Sequence, residues 1–139
     1  VYDDMQTSAD GVFACGNVLH VHDLVDFVTE ERMKAGKAAA EYIKAPYVHN
    51  GEAAAVTNAE GVTYTVPQQI DLGKGGESVD IFFRVSRVLK GARVVGTAED
   101  GSELLKRKRP HMLPAEMEKI QLDKKLLAGH NRITVGIAE

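Results

Sequence analysis

The clearest pattern in this chain is an alternation of apolar and polar residues that begins after residue 60. Apolar residues occupy every second position from Val79 to Val85 and again from Val62 to Val66. Alternation with a period of two is typical of strands that bury one face. The same pattern predicts strands over residues 92–98, 103–109, 117–122 and 132–137, a tight hairpin turn at Asp100-Gly101 and one helical turn between Asp123 and Gly129. These elements predict a small antiparallel β-sandwich.

The N-terminal third follows a different pattern. Between His22 and Ile43, apolar residues recur at spacings of three and four, which predicts an amphipathic helix. Pro46 ends this helix, because the residue before a proline is disfavoured in the α conformation. Ahead of the helix, the apolar run Val12–Cys15 stops abruptly at Gly16, which predicts a strand followed by a turn.

The predicted fold class is therefore α+β, in three parts. Residues 1–45 form a strand, a turn and a helix. Residues 46–60 show no sustained period, and we interpret them as a linker with one extended piece at most. Residues 61–139 form an all-β sandwich of immunoglobulin- or fibronectin-like type.

Composition narrows the function classes. The 139 residues carry a formal net charge of −3, which gives no reason to expect nucleic acid or an anionic membrane as a partner. No apolar run approaches the roughly 20 residues that a membrane-spanning helix needs. The single cysteine, Cys15, cannot form an intramolecular disulfide. It is expected to be a buried, inert thiol, and a reducing, cytoplasmic location is favoured.

A more specific signal lies between Thr7 and Val18, which read TSADGVFACGNV. This segment resembles the second flavin-contacting motif of the FAD-dependent pyridine-nucleotide oxidoreductases, the family of the thioredoxin and glutathione reductases. In that family the motif is followed by a helix with Gly-x-x-Ala near its middle, and Gly36 to Ala39 matches that position. The resemblance covers roughly residues 3–45.

The resemblance implies an FAD site and a role for NAD(P)H as co-substrate. By position, it implies flavin contacts from the following residues: Gly16, Asn17, Val18, Asp23, Leu24 and Val25. Asn17 stands where the family usually has an aspartate, so the side chain keeps a hydrogen-bond acceptor but loses the charge. Because the family's Gly-x-Gly-x-x-Gly loop is missing from these residues, we expect the chain to be the C-terminal part of a longer protein, with the upstream flavin and NAD domains and an additional redox subunit as partners.

His20, His22 and Asp23 form a dense polar cluster at the start of the helix, and three interpretations remain open. Two histidines at i and i+2, with a carboxylate, can bind a metal in an extended segment. A histidine can also act as a general acid near the flavin, which makes His20 and His22 the candidate catalytic residues. In the third interpretation, which we favour, both are structural residues that face a cleft or solvent. We therefore predict no metal site.

Two other segments suggest ligands without specifying one. The basic run Lys106–Arg109 is expected to be a solvated strand edge, because consecutive strand residues point to opposite faces and form no single patch. The turn Gly73–Gly76 lacks the ending and the following helix of a phosphate loop. The sequence thus predicts the C-terminal part of a flavin-dependent oxidoreductase in which the sandwich serves docking. The alternative is a non-enzymatic β-sandwich interaction module with an N-terminal helical extension.

Overall fold

A computed structural model describes all 139 residues. The chain forms one α-helix, eight strands and two short 3-10 turns. The elements are α1 (Val25–Lys44), β1 (Ala53–Asn58), β2 (Val62–Val66), β3 (Gln69–Asp71), β4 (Ser78–Val85), β5 (Leu89–Ala98), β6 (Glu103–Met112), β7 (Glu118–Asp123) and β8 (Arg132–Ala138), with 3-10 turns at Gly16–Val18 and Lys124–Leu127. None of them is a helix with the length and apolarity that a membrane-spanning segment requires.

The strands build a sandwich-like β body of two sheets. The larger sheet has the order β3-β1-β8-β5-β6, and the smaller one has the order β2-β4-β7. Every neighbouring pair is antiparallel except β1 and β8, which run parallel. The alternating residues of β4 contribute Val79, Ile81, Phe83 and Val85 to the buried core, as their spacing predicts. The α+β class and the sandwich-like body are thus as predicted.

The predicted strands and turns of the second half are found close to their expected bounds. Asp123 accepts a hydrogen bond from the Lys125 N–H and so caps the predicted helical turn, which Gly129 follows with a φ of +79°. Strand β3, by contrast, was not predicted, and β1 was predicted only as one extended piece within a linker. The segment interpreted as a linker contains β1. Its Ala-Ala-Ala-Val sequence gives only a weak strand pattern, although Ala54 and Val56 are buried.

The predicted strand over Val12–Cys15 is wrong. This segment makes only an isolated bridge between Gln6 and Phe13, and the 3-10 turn at Gly16–Val18 follows. No strand of either sheet lies beside it, so the backbone of the apolar run has no ladder to join, and Val12 stays exposed. The helix begins at Val25 and not at His22, because Leu24 is still extended (φ −117°, ψ 131°).

Helix α1 and the segment before it pack on the smaller sheet. The rings of Phe27 and Phe82 meet edge to face with centroids 5.4 Å apart. Nearby, Lys119 Nζ of β7 lies 3.0 Å from Glu30 Oε2 of the helix. These contacts fix the position of α1 over β4 and β7, and the residues between the 3-10 turn and the helix are held against the same sheet.

Candidate functional site around His20, His22 and Glu31

The residues between the 3-10 turn and α1 place two histidines against one glutamate of the helix. His20 Nε2 lies 2.6 Å from Glu31 Oε2, and His22 Nε2 lies 3.0 Å from the same oxygen. The rings of His20 and His22, which are two residues apart, lie side by side with their centroids 4.2 Å from each other. Glu31 reaches them from the second turn of α1. Three side chains from two elements therefore converge on one point.

All three side chains are almost completely buried. The exposed fractions are 3% for the His20 side chain, 0% for His22 and 2% for Glu31. The rings of Tyr64 and Phe82 surround the histidines, at centroid distances of 5.7 and 6.2 Å from His20. Neither histidine side chain faces solvent, because the smaller sheet covers both, although His20 borders a surface cavity.

Glu31 is anchored on its other side. Its Oε1 accepts a hydrogen bond of 2.6 Å from the Gly16 N–H, so the two carboxylate oxygens have separate partners. Burial opposes ionisation of this carboxyl, but the hydrogen bonds from His20 and Gly16 and the coulombic effect of both histidines outweigh it. The net result is a lowered pKa for Glu31. The ionised form is therefore favoured.

The histidines are left with unpaired atoms. Nδ1 of His20 and Nδ1 of His22 are both buried and have no hydrogen-bond partner. Buried polar atoms are hydrogen-bonded in the great majority of cases, and an unpaired one costs about 1–3 kcal/mol. Two such atoms add this cost to the cluster, and the contacts of Nε2 with Glu31 do not remove it.

Asp23, the carboxylate that the sequence grouped with the histidines, lies elsewhere. Its Oδ1 accepts a hydrogen bond of 3.0 Å from the Met117 N–H and lies 3.4 Å from Arg84 Nη2. Asp23 therefore ties the start of α1 to the sheet. The third member of the cluster is Glu31, which the sequence analysis missed because it lies 9 and 11 residues beyond the histidines.

The residues that resemblance assigns to the flavin form a second feature on this side of the molecule. Gly16 is buried and has a φ of +72°, and no atom would lie within 4 Å of a Cβ placed on it. Asn17 is exposed, as are the apolar side chains of Val18 (82%), Leu24 (52%) and Val25 (79%). Leu24 occupies the N-cap position of α1, where an apolar side chain cannot accept hydrogen bonds from the first turn.

A further polar cluster, around His49, was not predicted from the sequence. His49 Nδ1 lies 2.6 Å from Asp71 Oδ2, and His49 Nε2 lies 3.0 Å from Asp4 Oδ2. The Tyr47 hydroxyl donates to the same Asp4 oxygen, and burial together with this carboxylate raises the Tyr47 pKa. The cluster lines a cavity of about 320 Å³ between α1 and the sandwich. No short motif indicates it, since only the fold brings these positions together.

Two further predictions concerned the basic run Lys106–Arg109 and Cys15. The basic run lies on β6, an edge strand, where Arg109 Nε pairs with Glu118 Oε2 at 2.9 Å and Lys106 pairs with Glu103. The predicted solvated edge is confirmed. Cys15 is half-buried and not buried as expected.

Comparisons of the chain with protein-family models, curated proteins and solved structures find no significant match.

Proposed function

We propose that this chain is the C-terminal part of an FAD-dependent oxidoreductase that passes electrons between NAD(P)H, FAD and an acceptor. In this proposal, residues 1–45 correspond to the end of a Rossmann-like FAD-binding domain. Residues 61–139 correspond to an immunoglobulin- or fibronectin-like sandwich with a docking role. The upstream flavin and NAD domains of the same protein, and a redox subunit, are the proposed partners, in the cytoplasm.

The observation that carries the proposal is the surface at the start of α1. Val18, Leu24 and Val25 expose apolar side chains beside a 20-residue helix that has no side-chain cap at its N-terminus. Exposed apolar residues next to free helix N–H groups suit a ligand that is flat, apolar and electron-rich at one edge. These are also the positions at which the resemblance implies flavin contacts.

The residues present fit a flavin. Gly16 leaves open space above its backbone, and the Asn17 amide is exposed beside it, suited to the ribityl chain or the pyrophosphate. The helix N-terminus would lie near the pyrimidine edge of the ring, where its partial positive charge favours added electron density. When bound, the flavin supplies the two-electron chemistry. The chain holds and orients it and excludes water from one side.

The test uses the full-length protein that contains this chain, purified without added cofactor. We expect flavin bands in its visible absorption spectrum, and we expect them to bleach when NADH or NADPH is added without oxygen. Absence of flavin, even after reconstitution with FAD, would contradict the proposal and favour the interaction module.

Two variants test whether the flavin seen in the absorption spectrum binds at the start of α1. Val25→Asp places a negative charge at the start of the helix, so the flavin content should fall, while the matched change Val88→Asp, at a valine 54% exposed on the sandwich, should leave it unchanged. Equal flavin contents in the two variants would show that the flavin lies elsewhere.

A substitution at Asn17 is expected to strengthen FAD binding, in contrast to Val25→Asp. Asn17→Asp restores the charge that the family usually carries at this position, and a charge-assisted hydrogen bond is roughly twice as strong as a neutral one. We expect FAD to bind about tenfold more tightly, and Asn17→Ala to weaken binding. Fluorescence titration of the FAD-free protein measures both. Weaker binding in Asn17→Asp would show that this side chain does not meet a hydroxyl group of the cofactor.

A further inference from the structure

We propose that His20, His22 and Glu31 form a binding site for one divalent first-row transition cation, with Zn²⁺ as a representative. This site is independent of the proposed flavin function, because none of its three ligands is among the residues at which the resemblance implies flavin contacts. It also departs from the sequence-based expectation of no metal site, because the third ligand becomes visible only in the folded chain.

The donor atoms are already gathered. The three side chains offer two imidazole nitrogens and one carboxylate oxygen, all within 4.8 Å of one another. Atoms bound to one Zn²⁺ at about 2.1 Å lie about 3.0–3.4 Å apart. Since Glu31 Oε2 now lies 2.6 and 3.0 Å from the two Nε2 atoms, each of these nitrogen–oxygen distances needs to grow by less than about 1 Å to admit a cation.

The ligand types match this class of cation. Two imidazoles and one carboxylate are typical of zinc and of non-haem iron sites that keep a position open, whereas Mg²⁺ and Ca²⁺ prefer oxygen ligands. Neutral histidine binds a metal through Nε2 when its ring proton is on Nδ1, so a cation at this site requires Nε2 of both rings to be without a proton.

Glu31 is oriented as a ligand by its second oxygen. The Gly16 N–H bond to Oε1 holds the carboxylate in place and leaves Oε2 facing the histidines. Partners of this kind, which hold a ligand without touching the metal, are a regular part of metal sites. Gly16 directly precedes Asn17, so this hydrogen bond lies next to the surface described above.

The cavities and the aromatic rings near the three ligands are also compatible with a bound cation. His20 lines a surface cavity of about 490 Å³ with Tyr64 and Arg84, and Glu31 lines another of about 310 Å³. The aromatic rings around the histidines exclude most water, which strengthens charge interactions inside the cluster. Two of the three proposed ligands therefore border surface cavities, while the donor atoms themselves are buried.

The cluster around His49 does not offer a comparable site. His49 directs its two ring nitrogens to different carboxylates, Asp71 and Asp4, so the three groups cannot converge on one ion. This difference makes His49→Ala a useful control. His111, which is exposed on the edge strand β6, provides a second one for surface binding.

The first experiment is a titration of the chelator-treated chain with Zn²⁺ by calorimetry. We expect one Zn²⁺ per chain, with no competition from Mg²⁺ or Ca²⁺. In His20→Ala, His22→Ala and Glu31→Gln, binding should weaken by more than the roughly 10- to 100-fold that loss of an outer partner costs. His49→Ala and His111→Ala should bind like the unchanged chain.

The second experiment detects ligation directly and does not depend on the stability of alanine variants. In His22→Cys, Co²⁺ should produce a near-ultraviolet band from thiolate-to-cobalt charge transfer, which His111→Cys should lack. Absence of this band in a folded His22→Cys chain, absence of Zn²⁺ binding by the unchanged chain, or loss of binding in His49→Ala alone would each overturn the proposal. None of these outcomes bears on the flavin content of the full-length protein.

Discussion

At the residue scale, Gly96 shows how closely the larger sheet is packed. It lies on β5, and a Cβ placed there would lie 2.8 Å from Ile133 Cδ1 and 2.9 Å from Leu105 Cγ. We expect Gly96→Ala to lower the free energy of unfolding by about 1–3 kcal/mol, because both side chains must leave their positions. Gly51→Ala, where no atom would lie within 4 Å of the new Cβ, is the matched control. Urea unfolding measures both, and equal values would show that β5 can shift away from its neighbours.

Asp23 gives a second prediction at this scale. Its carboxylate accepts the Met117 N–H and pairs with Arg84, so it links the start of α1 to the smaller sheet. We expect Asp23→Ala to reduce the free energy of unfolding by about 1–2 kcal/mol, since a backbone donor loses its partner. Asp10→Ala, at an exposed position, should change it by less than about 0.5 kcal/mol. Thermal unfolding compares the two, and identical stabilities would contradict the role given to Asp23.

Individual side-chain roles were the hardest features to predict from the sequence. The His20–His22 spacing correctly indicated a shared polar site, but the neighbouring Asp23 was taken as its carboxylate. Sequence proximity favours Asp23, whereas the direction of the extended chain turns it toward Met117 and leaves Glu31 to meet the histidines. A carboxylate that arrives from a separate helix leaves no local signal.

At the element scale, strand β6 depends on its charges. It forms one edge of the larger sheet, and Arg107 and Lys108 are exposed along it. Charged side chains on an edge strand discourage pairing with the edge of another molecule. We expect the double variant Arg107→Thr, Lys108→Thr to self-associate, because threonine favours strands and carries no charge.

Sedimentation velocity measures the effect of this double variant. The control removes the same net charge from the helix, in Lys37→Ala, Lys44→Ala, and should leave the chain in its original state of association. Association in both variants would show that net charge, and not the edge, keeps the molecules apart.

Element prediction succeeded where one face of a strand is buried and failed where the pattern was weak. The alternation in β2, β4 and β8 is formed by large residues, and these strands are found where predicted. Strand β1 buries only Ala54 and Val56, and a run of alanines carries little strand preference. The apolar run Val12–Cys15 has the right composition for a strand, yet no neighbouring strand lies beside it. Pairing partners, more than composition, determined these outcomes.

At the scale of the whole molecule, both candidate sites lie where the N-terminal segment meets the sandwich. Glu31 of α1 meets the histidines of the preceding segment under the cover of Phe82 from β4. A change in the packing of α1 on the smaller sheet therefore alters the histidine cluster and the exposed surface at the helix start together.

We expect Phe27→Ala, which removes the ring against Phe82, to weaken Zn²⁺ binding although Phe27 is not a ligand. Met33→Ala, at an exposed helix position, should leave the affinity for Zn²⁺ unchanged. Calorimetric titration with Zn²⁺ measures both, and equal affinities would show that the cluster holds its shape independently of the helix packing.

The position of β8 has a consequence for how the chain folds during synthesis. This strand lies between β1 and β5, so the larger sheet remains two separate pairs, β3-β1 and β5-β6, until residues 132–138 have left the ribosome. In that interval the inner edges of β1 and β5 offer unpaired backbone groups to other nascent chains. Closure also joins strands almost 80 residues apart, as in the pairing of Ala55 with Arg132. Contacts of such long sequence separation slow folding. Synthesis of residues 132–138 thus sets the earliest time at which the larger sheet can close.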